Sequence, residues 1–257
     1  MRFRHIAELF NGPLPGKAAQ RSMAAPDRRG ALFAPAPQDA KQAAVAVLLR
    51  PPHRQGAVRA LSGVDAENAR KAGSPACPAV APRDMTVLLI RRNIYPGVHS
   101  GQIAFPGGQR EDADADLRHT ARRETREEVG IRAEHLFMLG PMTELYVRAS
   151  NFLIHPFAAL LDERAELRFD PEEVVGGRFV PVRFFDPALA SVRRFAFADG
   201  TVRPAPAWKF KDYTVWGATA MILAELHAIL GGRAGAAERG RGGAAERGRA
   251  GAAESLP

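Results

Sequence analysis

Three glutamates, Glu124, Glu127 and Glu128, stand at i, i+3 and i+4 in a segment that reads as a helix from Asp116 to Val129. At about 100° per residue they share one sector, roughly a quarter of the circumference. Leu117, Ala121, Thr125 and Val129 run beside them at i, i+4 spacing, a mostly apolar ridge fit to press against a sheet. Gly130 is a natural residue for the turn that ends the helix. Carboxylates this close repel one another and destabilise an isolated helix. The spacing is that of a solvated acidic face, or of a site where a cation offsets the repulsion. Carboxylate oxygens suit hard divalent ions such as Mg²⁺ or Mn²⁺.

The surroundings favour the second reading. Arg123 can pair with a carboxylate and hold it in register. Upstream, Pro106 stiffens a turn in which Gly107 and Gly108 let the backbone pass close to a ligand or metal. A loop and helix of this kind present backbone groups and carboxylates together to a metal-bound phosphate.

Around this element the chain alternates strands and helices. Ala43–Leu49 and Met85–Ile90 are compact apolar runs, expected as adjacent buried strands. Further strands are expected at Phe137–Gly140, Leu153–Leu161 and Val174–Pro181, and a packed helix at Ala218–Leu230. Residues 1–30 read as an N-terminal arm with a short helix at His5–Phe10, stopped by Gly12-Pro13-Leu14-Pro15-Gly16. Residues 31–230 form the expected domain. Residues 51–84, rich in Gly, Pro, Ala and Arg, read as a disordered insert with room for a short helix at Val64–Lys71. Residues 231–257 are a degenerate octapeptide array that cannot bury a core, expected to be a disordered tail.

Composition limits the partners. A hydrophobic content of 46% supports a sizeable core, yet no apolar run approaches the ~20 residues of a membrane span. The first residues lack the apolar stretch and cleavage site of a secretory signal. The single cysteine, Cys77, cannot form an internal disulfide. A cytoplasmic protein without membrane partners is expected. The net charge of +8 attracts polyanions, but the arginines are scattered, as a GC-rich coding bias would scatter them. That argues against nucleic acid and for a pocket that takes a small phosphorylated substrate. A homodimer is one arrangement the sequence allows.

Gly107-Gly108 followed by Arg123-Glu124-Thr125-Arg126-Glu127-Glu128-Val129-Gly130-Ile131 resembles the Nudix box, G-x5-E-x7-R-E-U-x-E-E-x-G-U. The second half fits, with Thr125 in place of an apolar residue. In the first half Gly108 lies one residue too far from Arg123, and Ala115 stands where the pattern has its first glutamate. The coenzyme A pyrophosphatase branch is similar in having this longer spacing, with F-P-G-G-x-x-[D/E]-x-x-D before the helix, here Phe105 to Asp114. Leu88-Leu89-Ile90-Arg91-Arg92 and His99-Ser100-Gly101-Gln102-Ile103-Ala104-Phe105 also resemble that branch, as do Leu145–Phe152 and Val215–Met221.

The resemblance implies an α/β Nudix fold, a mixed β-sheet sandwiched between α-helices. It implies water attacking a diphosphate with Mg²⁺ or Mn²⁺ bound, and coenzyme A or a derivative as substrate. Glu124 and Glu128 would be metal ligands, and Glu127 a third ligand or a base acting through water. Gly108 would offer its backbone carbonyl to the metal, and Arg123 would orient a glutamate. Arg91, Arg92 and Arg148 are candidate substrate contacts; His99 either reaches a substrate phosphate or satisfies backbone groups of its loop, and Trp216 or Tyr146 either stacks on adenine or is buried as structure. Glu111 and Asp114 either join the metal or cap the helix. Glu172 and Glu173 either supply a further carboxylate or belong to the turn after Asp170-Pro171. His119 is expected to be exposed. Two rivals stand beside this reading: hydrolysis of ADP-ribose, NADH or a nucleotide triphosphate, and a non-catalytic nucleotide- or RNA-binding module on the same fold.

Overall fold

The computed structural model describes residues 3–52, 82–94, 101–162, 164–197 and 200–232. The expected helix at Val64–Lys71, most of the 51–84 insert and residues 233–257 of the tail lie outside them.

Strand β1 (Lys41–Arg50) is the centre of the main sheet. One edge pairs in parallel with β7 (Phe152–Leu161) along most of its length. The other edge is shared. At its end β1 meets β2 (Thr86–Arg92) antiparallel through two pairs only, Leu49 with Val87 and Arg50 with Thr86. The strands then diverge, and the segment that leads to the helix fills the gap. Its β3 (Ile103–Ala104) pairs with the far end of β2, and its β4 (Gly107–Gln109) with Ala43–Val45 of β1. The outer positions belong to β8 (Val174–Pro181) on β2, and to β5 (Leu136–Pro141) and β6 (Leu145–Val147) on β7.

Both faces of this mixed sheet are covered, which is why β1 and β2 read as continuous apolar runs. Ala44, Ala46 and Leu48 of β1, with Leu88 and Ile90, pack under the acidic helix through Ala121 and Val129. Val47 and Leu49, with Val87 and Leu89, face the opposite layer, where Met221, Ile222 and Leu226 of the last helix are buried. In chain order the helices are α1 (Phe3–Phe10), α2 (Gly16–Gln20), α3 (Leu117–Val129) and α4 (Gly217–Gly232). Among the described residues no helix is long and apolar enough to cross a membrane.

Two features differ from the sequence reading. The N-terminal segment packs onto the domain, with Ile6, Leu9, Phe10 and Met23 buried in the larger core cluster. Gln20 donates to the buried Glu225 carboxylate of α4 at 2.9 Å and to the Thr143 carbonyl at 3.0 Å, tying α2 down. A second, antiparallel sheet was not expected: β9 (Ser191–Ala196), β10 (Val202–Phe210) and β11 (Tyr213–Trp216). Pro204 and Pro206 mask β10. The fold accepts them because β11 pairs only with Ala207–Phe210, leaving one edge of the proline-bearing stretch without a ladder to interrupt.

Candidate active site

Asp116 caps α3 by accepting from the His119 N–H at 2.7 Å. Gly130 ends it in the left-handed conformation, φ 70°, where a Cβ would also strike Arg168 at 2.8 Å. The apolar ridge is buried as its spacing requires. Thr125 fits because its hydroxyl donates to the Ala121 carbonyl at 2.7 Å, leaving only its methyl to be packed.

The three glutamates emerge at different depths, with side chains 13% exposed at Glu124, 44% at Glu127 and fully buried at Glu128. Glu128 lies under Gly107 at the start of β4, where the sequence reads as a turn. One carboxylate oxygen accepts from the Gly107 N–H at 2.8 Å, the other from Arg92 Nη1 at 3.0 Å. Burial nevertheless pushes its pKa up to about 7; Arg92 and the Gly107 N–H pull it down, while Glu124 and Glu173 raise it further. Burial raises Glu124 as well, against the pull of Arg123.

Arg123 is the hub on the other side. Its Nη1 donates to Glu124 and Glu127, each at 2.9 Å, and its Nη2 to the Gln109 carbonyl at 3.0 Å. Asp114 holds it through two contacts of 3.1 Å. Asp114 is itself buried, accepting from Thr120, from His119 and from the Glu111 N–H. Held chiefly by Arg123, its carboxyl stays far below the ordinary range. Of the two alternatives for Asp114, the contacts are those of an anchor for Arg123 and the helix start. Glu111 is exposed, 3.5 Å from Arg123.

The glycines are needed for close packing. A Cβ on Gly107 would lie 2.4 Å from the Ala44 carbonyl oxygen and 2.6 Å from the Val45 Cα. On Gly108 it would lie 2.4 Å from a Glu124 carboxylate oxygen. Gly108 thus forms the cradle in which Glu124 lies. The expected role of its carbonyl is corrected by the phase of the ladder. Ala46 N–H donates to the Pro106 carbonyl and Arg110 N–H to the Gln42 carbonyl, so Gly108 pairs into β1 while Gly107 and Gln109 turn their carbonyls away from it. Those two oxygens face Arg92, at 3.3 Å, and Arg123.

The remaining candidates separate. Glu173 stands 4.0 Å from Arg92 and its charge reaches both Glu124 and Glu128, whereas Glu172 belongs to the turn, its N–H donating to Asp170 at 2.9 Å. Arg91 is ion-paired with Asp212 at 2.7 Å beside the Tyr213 ring, on the wall of a side hollow that also touches Arg92 and Trp216. His119 is half exposed, and its Nδ1 donates to the Asp114 carboxylate, 2.9 Å away. His99 lies outside the described residues.

A cavity of about 400 Å³ opens beside Gly107 and Gly108, walled by Val45, Phe105, Phe152, Met221 and Trp216. Trp216 stacks face to face on Phe195, centroids 4.0 Å apart. Tyr146 does not line the cavity; its hydroxyl donates to Asn151. Arg148 is exposed and does not line this cavity, although Val147, Ala149 and Ser150 on either side do. The arginine that sequence reasoning missed is Arg28, which enters the cavity from the N-terminal segment without any local motif to mark it.

Among the described residues, no three acidic, imidazole or thiol groups converge as a ready metal cluster. Arg123 and Arg92 occupy the carboxylates instead. The donor set still suits a hard divalent cation: carboxylates at graded depth, a glycine cradle beside Glu124, and a Glu128 whose charge is incompletely offset.

Residues 74–199 match the family model of the NUDIX domain. An uncharacterized Nudix hydrolase NudL from Yersinia enterocolitica is 32% identical over 154 residues, covering 58% of this chain and 76% of the relative. The NudL protein of Photorhabdus laumondii is 31% identical over 153 residues, covering 58% and 79%. Among solved structures, a Caenorhabditis elegans (C. elegans) Ap4A hydrolase binary complex aligns over 55% of this chain and 80% of its own, at 18% identity and a TM-score of 0.38.

Proposed function

The chain belongs to the Nudix hydrolase family, and on that premise we propose that it hydrolyses coenzyme A or its derivatives, releasing 3′,5′-ADP and 4′-phosphopantetheine. Hydrolysis of a nucleoside diphosphate derivative is the family's activity. The observation that narrows it is the lengthened connection from Phe105 to Asp114. This connection, one residue longer than the general pattern, ends in the turn from which buried Asp114 grips Arg123.

Glu124 and Glu128 would hold Mg²⁺ or Mn²⁺, with Glu127 and Glu173 beside them. When bound there, the ion neutralises the diphosphate oxygens and lowers the pKa of an attacking water. Arg123 is a positioning residue, fixing Glu124 and Glu127 against each other. Glu127 is the most exposed of the three glutamates and is suited to take a proton from water that reaches the site from solvent. Arg92 and the Gly107 N–H hold Glu128 under the start of β4. The adjoining cavity, largely apolar with an aromatic wall, suits one end of a dinucleotide-sized substrate.

The deciding experiment is product analysis with purified protein, Mg²⁺ or Mn²⁺, and coenzyme A, ADP-ribose and NADH in parallel. Release of 3′,5′-ADP from coenzyme A is expected. Intact coenzyme A beside cleaved ADP-ribose or NADH would overturn the substrate assignment and leave the family activity standing.

A further inference from the structure

The cavity beside Gly107 and Gly108 contains a cation that the reaction above does not use. Arg28 closes the short turn Pro26–Arg28, and its guanidinium Nη2 donates to the Tyr146 carbonyl, a neutral acceptor. The adjacent carboxylate, Asp27, is engaged by Arg203 of β10. Burial lowers the Arg28 pKa despite the charge of Asp27. A guanidinium held against apolar walls is costly unless an anion completes it.

A second polar group that lines the cavity is also incomplete. Ser150 lines the cavity, and its buried hydroxyl has no hydrogen-bond partner. It lies in the turn after β6, four residues beyond the Tyr146 carbonyl that holds Arg28. The N-terminal segment is anchored for this task by Gln20 on Glu225 and Thr143. A guanidinium and a free hydroxyl lining one cavity are the donors that a phosphate oxyanion requires. Trp216, stacked on Phe195 and at a steep angle to Phe197, makes part of that cavity's wall aromatic.

We propose that Arg28 and Ser150 form a receptor for a phosphomonoester of the substrate, separate from the diphosphate that is cut. The identity of that group rests on the coenzyme A reading, in which it is the ribose 3′-phosphate. The N-terminal segment then takes part in substrate selection.

The test compares kcat/KM for coenzyme A and dephospho-coenzyme A, which lacks only that phosphate, in the wild type and in Arg28→Ala, Arg28→Lys and Ser150→Ala. The wild type should prefer coenzyme A by about 10- to 100-fold, the worth of a charge-assisted contact. Arg28→Ala should abolish most of the preference, Arg28→Lys should keep part of it, and Ser150→Ala should reduce it several-fold. A ratio of two substrates on one preparation is insensitive to partial unfolding. A wild type that cuts both substrates equally, or an Arg28→Ala variant with the preference intact, overturns the receptor and leaves the proposed function standing. If the wild type cuts neither but cleaves NADH, the coenzyme A assignment fails. The NADPH and NADH pair, differing by one ribose phosphate, then decides the receptor: a preference for NADPH lost in Arg28→Ala supports it, and no preference overturns it.

Discussion

Replacing Glu128 with Gln should stabilise the metal-free protein at alkaline pH while removing its activity. The folded chain raises this carboxyl from 4.5 to about 7, which at 1.36 kcal/mol per unit is about 3 kcal/mol against the ionised form. The sign follows from proton uptake. Between pH 4.5 and 7 the folded protein holds a proton there that the unfolded chain has released, so stability falls as pH rises through this window. Gln keeps the shape and the acceptor for the Gly107 N–H but cannot ionise. In chelator, Glu128→Gln should therefore be more stable than the wild type at pH 8, with a gap about 2 kcal/mol smaller at pH 5. Urea unfolding of both proteins at each pH reads this, and the difference cancels the titrating groups that lie away from Glu128; Glu124 and Glu173, which its charge reaches, remain coupled to it. Adding Mn²⁺ should shift the balance towards the wild type, because the variant has lost one of the two carboxylates proposed to hold the ion. A gap that stays constant with pH would refute the claim that buried, incompletely offset charge is what Glu128 contributes.

The two glycines should fail differently. Gly107→Ala drives a methyl into the β1 backbone at 2.4 and 2.6 Å and should cost about 3 kcal/mol, lowering the melting temperature by several degrees. Gly108→Ala meets only the end of the Glu124 side chain; thermal unfolding should change little while kcat falls about 100-fold through misplacement of that carboxylate. Equal melting temperatures for the two variants would contradict this division. Asp114→Asn weakens the grip on Arg123 and should lower kcat about tenfold with KM nearly unchanged, measured by steady-state kinetics on coenzyme A or whichever diphosphate the wild type cleaves. A change confined to KM would mean that Asp114 serves binding.

Much of the scaffold was legible because the relevant signals are local. Asp116 and Gly130 bound α3 within a residue of the expected limits, since capping chemistry is written in single positions. The runs in β1 and β2 stood out because burial on both faces removes polar interruptions. The second sheet had no such signature: β9 carries Arg193 and Arg194 on an exposed surface, and β10 carries two prolines. The packing of Ile6, Leu9 and Phe10 was hidden for another reason. A short amphipathic helix shows that it has an apolar face without showing what that face meets.

The same distinction governs the site. Motif spacing groups residues that lie on one element, and Arg123, Glu124, Glu127 and Glu128 do gather around one hub. Spacing does not carry the phase of a strand, so it named Gly108 for a carbonyl that β1 takes up, while its neighbours' oxygens face the guanidiniums. Nor does it carry what topology brings in from afar. Arg148 sits inside a matching stretch and does not line the cavity, whereas Arg28 lies more than a hundred residues before Tyr146 and donates to its carbonyl. On the proposed reading, the residues that act on the diphosphate share one helix and can be read from it, whereas those that choose among substrates come from separate segments meeting at a cavity, which only the fold joins.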